Sequence, residues 1–149
     1  MIEKFRTGTL HGPTAAATQL TGNGAAVDVT NAQDIIIVAE VDKGDGAALT
    51  FTPQRADSVP TWSAIPNNAK IYVAADTGTS DTLARQADGV AYATAAVATD
   101  HRVVMRINPD SLGLSAAGNP ITQVRVVISG GHANDRGVVT AYIVPRYKP

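Results

Sequence analysis

Arg102-Val103-Val104-Met105-Arg106-Ile107 and Gln123-Val124-Arg125-Val126-Val127-Ile128 are the stretches on which the fold turns. In each, one face is apolar and the other carries arginine. A side-chain period of two is what a strand needs when one face meets a core and the other meets water. Upstream, Asp34 introduces Ile35-Ile36-Ile37-Val38-Ala39-Glu40-Val41. That run is apolar on both faces and rich in β-branched residues, the pattern of a central strand buried on both sides.

The segments between these runs are turns. Asp42-Lys43-Gly44-Asp45-Gly46 tolerates positive φ, and Leu49-Thr50-Phe51-Thr52 then resumes the alternation, so the two flanking runs read as a hairpin. Val27 and Val29 alternate with Asp28 and Thr30. After Pro53 the chain to Asn68 reads as a long loop anchored by Trp62, and Lys70 to Ala74 as a short strand. Thr82 to Ala87 fits a helical turn and Val90 to Val97 a strand, with alanine compatible with either. Asn108-Pro109-Asp110 is a turn, Gly113 to Pro120 an irregular connection, and Ile121 to Ile128 and Val138 to Val144 close the series. About eight strands and no helix-length amphipathic run predict an all-β antiparallel sandwich of jelly-roll type over residues 26–149. Residues 1–25, rich in Thr, Ala and Gly, read as an extended N-terminal arm. Its alternatives are a plain flexible terminus and a segment that pairs with another surface.

Composition narrows the function. The chain has 149 residues, no cysteine, a formal net charge of -1 and only 5% aromatic residues. Disulfides and thiolate metal sites are excluded, and no global field favours nucleic acid or an anionic membrane. With much of its apolar content in alanine, the chain is expected to build a thin core or to lean on a partner subunit. No stretch approaches the roughly 20 apolar residues of a membrane helix, and Met1 to Arg6 do not lead into a secretory signal, so the expectation is a soluble protein made in the cytoplasm.

The residues for chemistry are few. His11, His101 and His132 stand apart, without metal-site spacing. Ser129, His132 and Asp135 offer the members of a triad, but no strained nucleophile turn accompanies them. Asp42 and Asp45 supply only two carboxylates where calcium wants more oxygens, so a turn explains them better. Glu40 reads as the end of a buried strand emerging into solvent. Gly22-Asn23-Gly24 lacks the third glycine of a phosphate loop. Arg102, Arg106 and Arg125 on one sheet face, with Arg146 and Lys148, would make a basic surface or a plain solvated one. Tyr72, Tyr92 and Tyr142 are too scattered for base stacking. The expectation is therefore no enzyme, no cofactor and no metal. Partner contact is expected at the larger residues of the arm, Phe5, Arg6 and Leu10, at Trp62, and at Arg146 and Tyr147 of the tail, where Pro145 ends the last strand.

The buried run Asp34 to Val41, the Gly44-Asp45-Gly46 turn, the strand ending Arg106-Ile107-Asn108-Pro109-Asp110-Ser111-Leu112 and the closing Tyr142-Ile143-Val144-Pro145-Arg146-Tyr147 resemble capsid decoration, or cement, proteins of tailed bacteriophages. The resemblance implies a homotrimer on the outer capsid surface that clamps neighbouring major capsid proteins, with an arm that pairs with capsid strands and no direct contact with nucleic acid. The same style occurs in head-tail joining, tail and receptor-binding proteins. A lectin-like or hydrolase domain is the remaining reading.

Overall fold

The computed structural model describes residues 6–11, 19–59 and 61–146, and the first of these segments chiefly through its backbone. Twelve strands form among them: β1 Arg6–His11, β2 Gly22–Asn23, β3 Val27–Asp28, β4 Ala32–Asp42, β5 Leu49–Ala56, β6 Ser63–Ala64, β7 Lys70–Ala74, β8 Ala84–Arg85, β9 Tyr92–Ala93, β10 His101–Ile107, β11 Gln123–Gly130 and β12 Arg136–Pro145. A 3-10 turn, Pro109–Leu112, follows β10, with the Asn108 side chain accepting from the Asp110 N–H.

The isoleucine-rich β4 takes the centre of the first sheet, ordered β1-β12-β4-β10-β7-β8. The second sheet runs β2-β11-β5-β6, with β3 also on β11 and β9 also on β5. All of these pairings are antiparallel. Setting aside β7 to β9 and counting β2 with β3 as one position, the first sheet reads first-eighth-third-sixth along the chain, and the second reads second-seventh-fourth-fifth. That is the jelly-roll order, and the all-β sandwich expected from the alternation is present.

The two inner faces meet in an aliphatic core. Ile35, Ile37, Ala39 and Val41 of β4, Val103, Met105 and Ile107 of β10, and Val139, Ala141 and Ile143 of β12 face Leu49 and Phe51 of β5 and Val124, Val126 and Ile128 of β11. Phe51 is the largest buried side chain. At Gly8 a Cβ would stand 2.5 Å from Val27 Cγ2, so a glycine is what lets β1 close over β3.

Three expectations are corrected. The Gly44-Asp45-Gly46 turn does not close a hairpin, because β4 is already bonded to β10 and β12 on its two sides. The chain instead crosses between sheets, with the buried Lys43 ammonium donating to Thr94 Oγ1 (3.3 Å) and the Ala95 carbonyl (2.8 Å). Tertiary competition for the strand edges overrides the local turn chemistry. Pro53 does not end a strand, since β5 runs through it to Ala56. Opposite Pro53, the Val126 carbonyl accepts from Gly24 on the far side of β11, so the Pro53 nitrogen faces the short β6, where a missing donor costs little. Between residues 76 and 98 neither a helical turn nor a long strand forms, only β8 and β9. Within the N-terminal segment, Arg6–His11 pairs with β12 of the same chain at the edge of the first sheet, and Gly22–Asn23 edges the second.

Candidate functional site

One end of the sandwich gathers the most unusual surface. Val59, 68% exposed, and Leu114, 58% exposed, stand on two loops, 57–62 and 113–122, that join the ends of β5 and β11 to their neighbours. Between the loops lies a cleft of about 260 Å³, walled by Val59, Ala116, Ala117 and Ile121 and edged by Thr61, Ser63 and Asn119. Large apolar side chains at loop tips lose hydration only when a partner covers them.

The loops are braced rather than slack. The Arg55 guanidinium reaches out of β5, and its Nη1 donates to the carbonyls of Leu112 and, at 2.8 Å, Leu114. Asp57, 4% exposed, accepts from the Val59 N–H (2.9 Å) and from Asn119 Nδ2 (3.0 Å). Leu114 bridges to Pro120, closing the second loop on itself.

Hydrogen bonds from Ser115, above all, and from Asn119 hold the Asp57 carboxyl below its ordinary value, against the opposing effect of burial. A carboxyl depressed in the folded state contributes stability above its unfolded value near 3.9 and loses it as pH falls through the lower, folded value. Acidification below about pH 4 is therefore expected to loosen the two loops. Trp62, the single tryptophan, lies in the first loop, and its fluorescence should report the change. Asp57→Asn is expected to remove this part of the acid response; an unchanged acid transition in the variant would show that Asp57 does not govern it.

The structure brings several of the expected contact residues to this end. Trp62 stacks under Arg125 at 4.3 Å from ring centroid to guanidinium, and Arg125 Nε donates to Gln54 Oε1 at 2.9 Å. Burial lowers the Arg125 pKa from its ordinary value. Arg146 pairs with Asp110 beside the 3-10 turn, and its N–H donates to the Asn31 carbonyl at 2.7 Å. Arg6 begins β1 opposite Ile143, towards the same end. Leu10 lies further along β1, towards the opposite end, while Phe5 and Tyr147 fall outside the described residues. Val59 and Leu114 were missed by sequence reasoning. Their signal was an apolar residue isolated among turn formers, in Ser58-Val59-Pro60 and Gly113-Leu114-Ser115.

The three arginines expected on one face are divided between two. Arg102 and Arg106 lie outside the first sheet, and Arg125 outside the second. Arg102 is neutralised by Glu40 (3.1 Å) and Asp81 (3.2 Å), and Arg106 by Asp34 (2.6 Å). The residues of the triad do not assemble: the buried Asp135 carboxylate is taken by the backbone N–H groups of Gly44 (3.0 Å) and His132 (2.7 Å). His132 Nε2 stands 3.6 Å from Asp45 Oδ2. Among the described residues no three His, Asp or Glu side chains converge as metal ligands, and no helix is long and apolar enough to cross a membrane.

No family model and no curated protein matches the chain. Among solved structures, that of the SPBc2 prophage-derived protein YomS is similar, with a TM-score of 0.47 and 12% sequence identity over 96% of each chain.

Proposed function

We propose that the protein is a virion structural protein of a tailed bacteriophage, a decoration protein that binds the outer surface of the capsid and cements neighbouring major capsid proteins. The observation that carries this reading is the pair of braced loops: Val59 and Leu114 are held out into solvent at their tips, and Val59 walls the cleft between them. The cleft is of a size to take one large side chain of a partner, and Arg55 and Asp57 fix its walls before binding, which lowers the entropic cost of docking. Arginines already paired with carboxylates on their own chain suit a protein surface better than phosphates.

The test is binding of the purified protein to capsids that lack it. Val59→Asp and Leu114→Asp, both on the surface, are expected to weaken binding at least about tenfold each, with the fold intact by circular dichroism. Failure of the unaltered protein to bind such capsids at micromolar concentration overturns the reading.

A further inference from the structure

The outer face of the first sheet carries a pattern that the capsid reading does not use. Ile36 and Val38 of β4, Val104 of β10, Val138, Thr140 and Val144 of β12 and Tyr72 of β7 point outward, together with Tyr142, which is 40% exposed. No strand or helix of the described residues is layered over them. This is the second apolar face of the isoleucine-rich run, the one its sequence marks for burial.

The charges around that strip say what would cover it. The outward positions of β4 are acidic at their ends, with Asp34, Glu40 and Asp42, whereas those of β10 are basic, with Arg102 and Arg106. In register, Glu40 lies beside Arg102, Val38 beside Val104 and Ile36 beside Arg106. A two-fold axis along the strands, between β4 and β10, keeps each residue at its own height while exchanging the two strands. The acidic strand of one copy then lies over the basic strand of the other. Glu40 then meets Arg102 of the second copy, Val38 lies over Val104 and Ile36 over the stem of Arg106, with Asp34 one outward position further along. The Glu40 carboxylate gains a second guanidinium at each of the two symmetric contacts, and a face that would be merely neutral to a stranger is complementary to itself.

We propose that this face is where a second copy of the chain docks, making a two-fold dimer of face-to-face sandwiches. The six strands of this sheet hold 41 residues, which at about 3.3 Å by 4.8 Å each give a footprint of roughly 650 Å², close to the roughly 800 Å² per partner of a stable protein interface. The dimer stands in place of the trimer that the sequence resemblance implies. It does not rest on the capsid reading, because it is measured without capsids.

Sedimentation equilibrium of the full chain decides it. At concentrations of order 100 µM, the expected mass is twice the 15.4 kDa of one chain. Glu40→Arg places arginine over Arg102 twice across the axis, and Arg102→Glu places glutamate over Glu40 twice. Each variant is expected to weaken the dimer about a hundredfold. Mixing the two restores opposite charges at both contacts, so a one-to-one heterodimer is expected from two proteins that are each monomeric. Both positions are on the surface, and circular dichroism confirms that the variants fold. A single-chain mass for the unaltered protein, a mass of three chains, a dimer indifferent to both substitutions, or no recovery on mixing overturns the proposal.

Discussion

Truncating Phe51 to alanine is expected to lower the stability of the fold by about 3–5 kcal/mol, read as a shift of the urea midpoint at constant slope. Phe51 is 1% exposed and sits on β5, between β11 and the short strands β6 and β9, facing the isoleucines of β4. Apart from Met105 of β10, the other apolar side chains of this core are short aliphatic ones or alanine, too small to fill the hole. Tyr92, its cross-strand neighbour, is packed against the same core, and burial raises its pKa. Filling the site from Tyr92 would bury a hydroxyl without a partner. Phe51→Leu, which removes about half as many carbons as the alanine variant, should cost less, about 1–2 kcal/mol. Against the 5–15 kcal/mol typical of a domain, the alanine variant stands near the limit of folding. A loss below about 1 kcal/mol would mean that the layer collapses around the cavity. Measurements belong at one fixed protein concentration, because any self-association adds to apparent stability.

The architecture was legible because the inner faces of β4, β10 and β11 write their burial directly into a period of two. Ile35, Ile37, Val103, Met105, Val124 and Val126 all fall where the alternation puts them. The hairpin reading failed at Gly44 because turn chemistry reports only that the backbone bends there. Whether β5 then pairs with β4 depends on β10 and β12, which lie far along the chain and claim both edges of β4. The arginines were misgrouped for the same reason. Alternation places Arg102 and Arg125 outside their strands, yet says nothing about which sheet each strand joins. The loop-bearing end of the sandwich was half legible. Trp62 and Arg146 announced themselves as large residues in turn-rich segments. Asp57 and Arg55, which make the cleft rigid, look in the sequence like ordinary surface charges, and only the fold brings Ser115 and Asn119 to Asp57.

Replacing Asp135 by alanine is expected to cost about 2–4 kcal/mol, although the residue belongs to a loop. Its carboxylate ties the crossing after β4 to the crossing before β12, through the N–H groups of Gly44 and His132, and its own carbonyl accepts from the Leu20 N–H at 2.9 Å. The anion is therefore shared by the two crossings at the end of the sandwich opposite the cleft, whereas the bond from Leu20 is made to the backbone and survives the substitution. Space around it is already fully used. Gly131 has φ +75°, and a Cβ there would stand 2.4 Å from Leu49 Cδ2 and 2.6 Å from Asp135 Oδ2. Gly131→Ala combines left-handed strain with that overlap, so a loss of about 2–4 kcal/mol is expected for it as well. The two substitutions act on one structure. In the double variant the Asp135 oxygen that a Cβ at position 131 would strike is gone, so the losses should fall short of their sum by about 1 kcal/mol. Full additivity in the urea midpoints would mean that the glycine is required by Leu49 and its backbone angle alone, and that the carboxylate holds the crossing without being crowded by it.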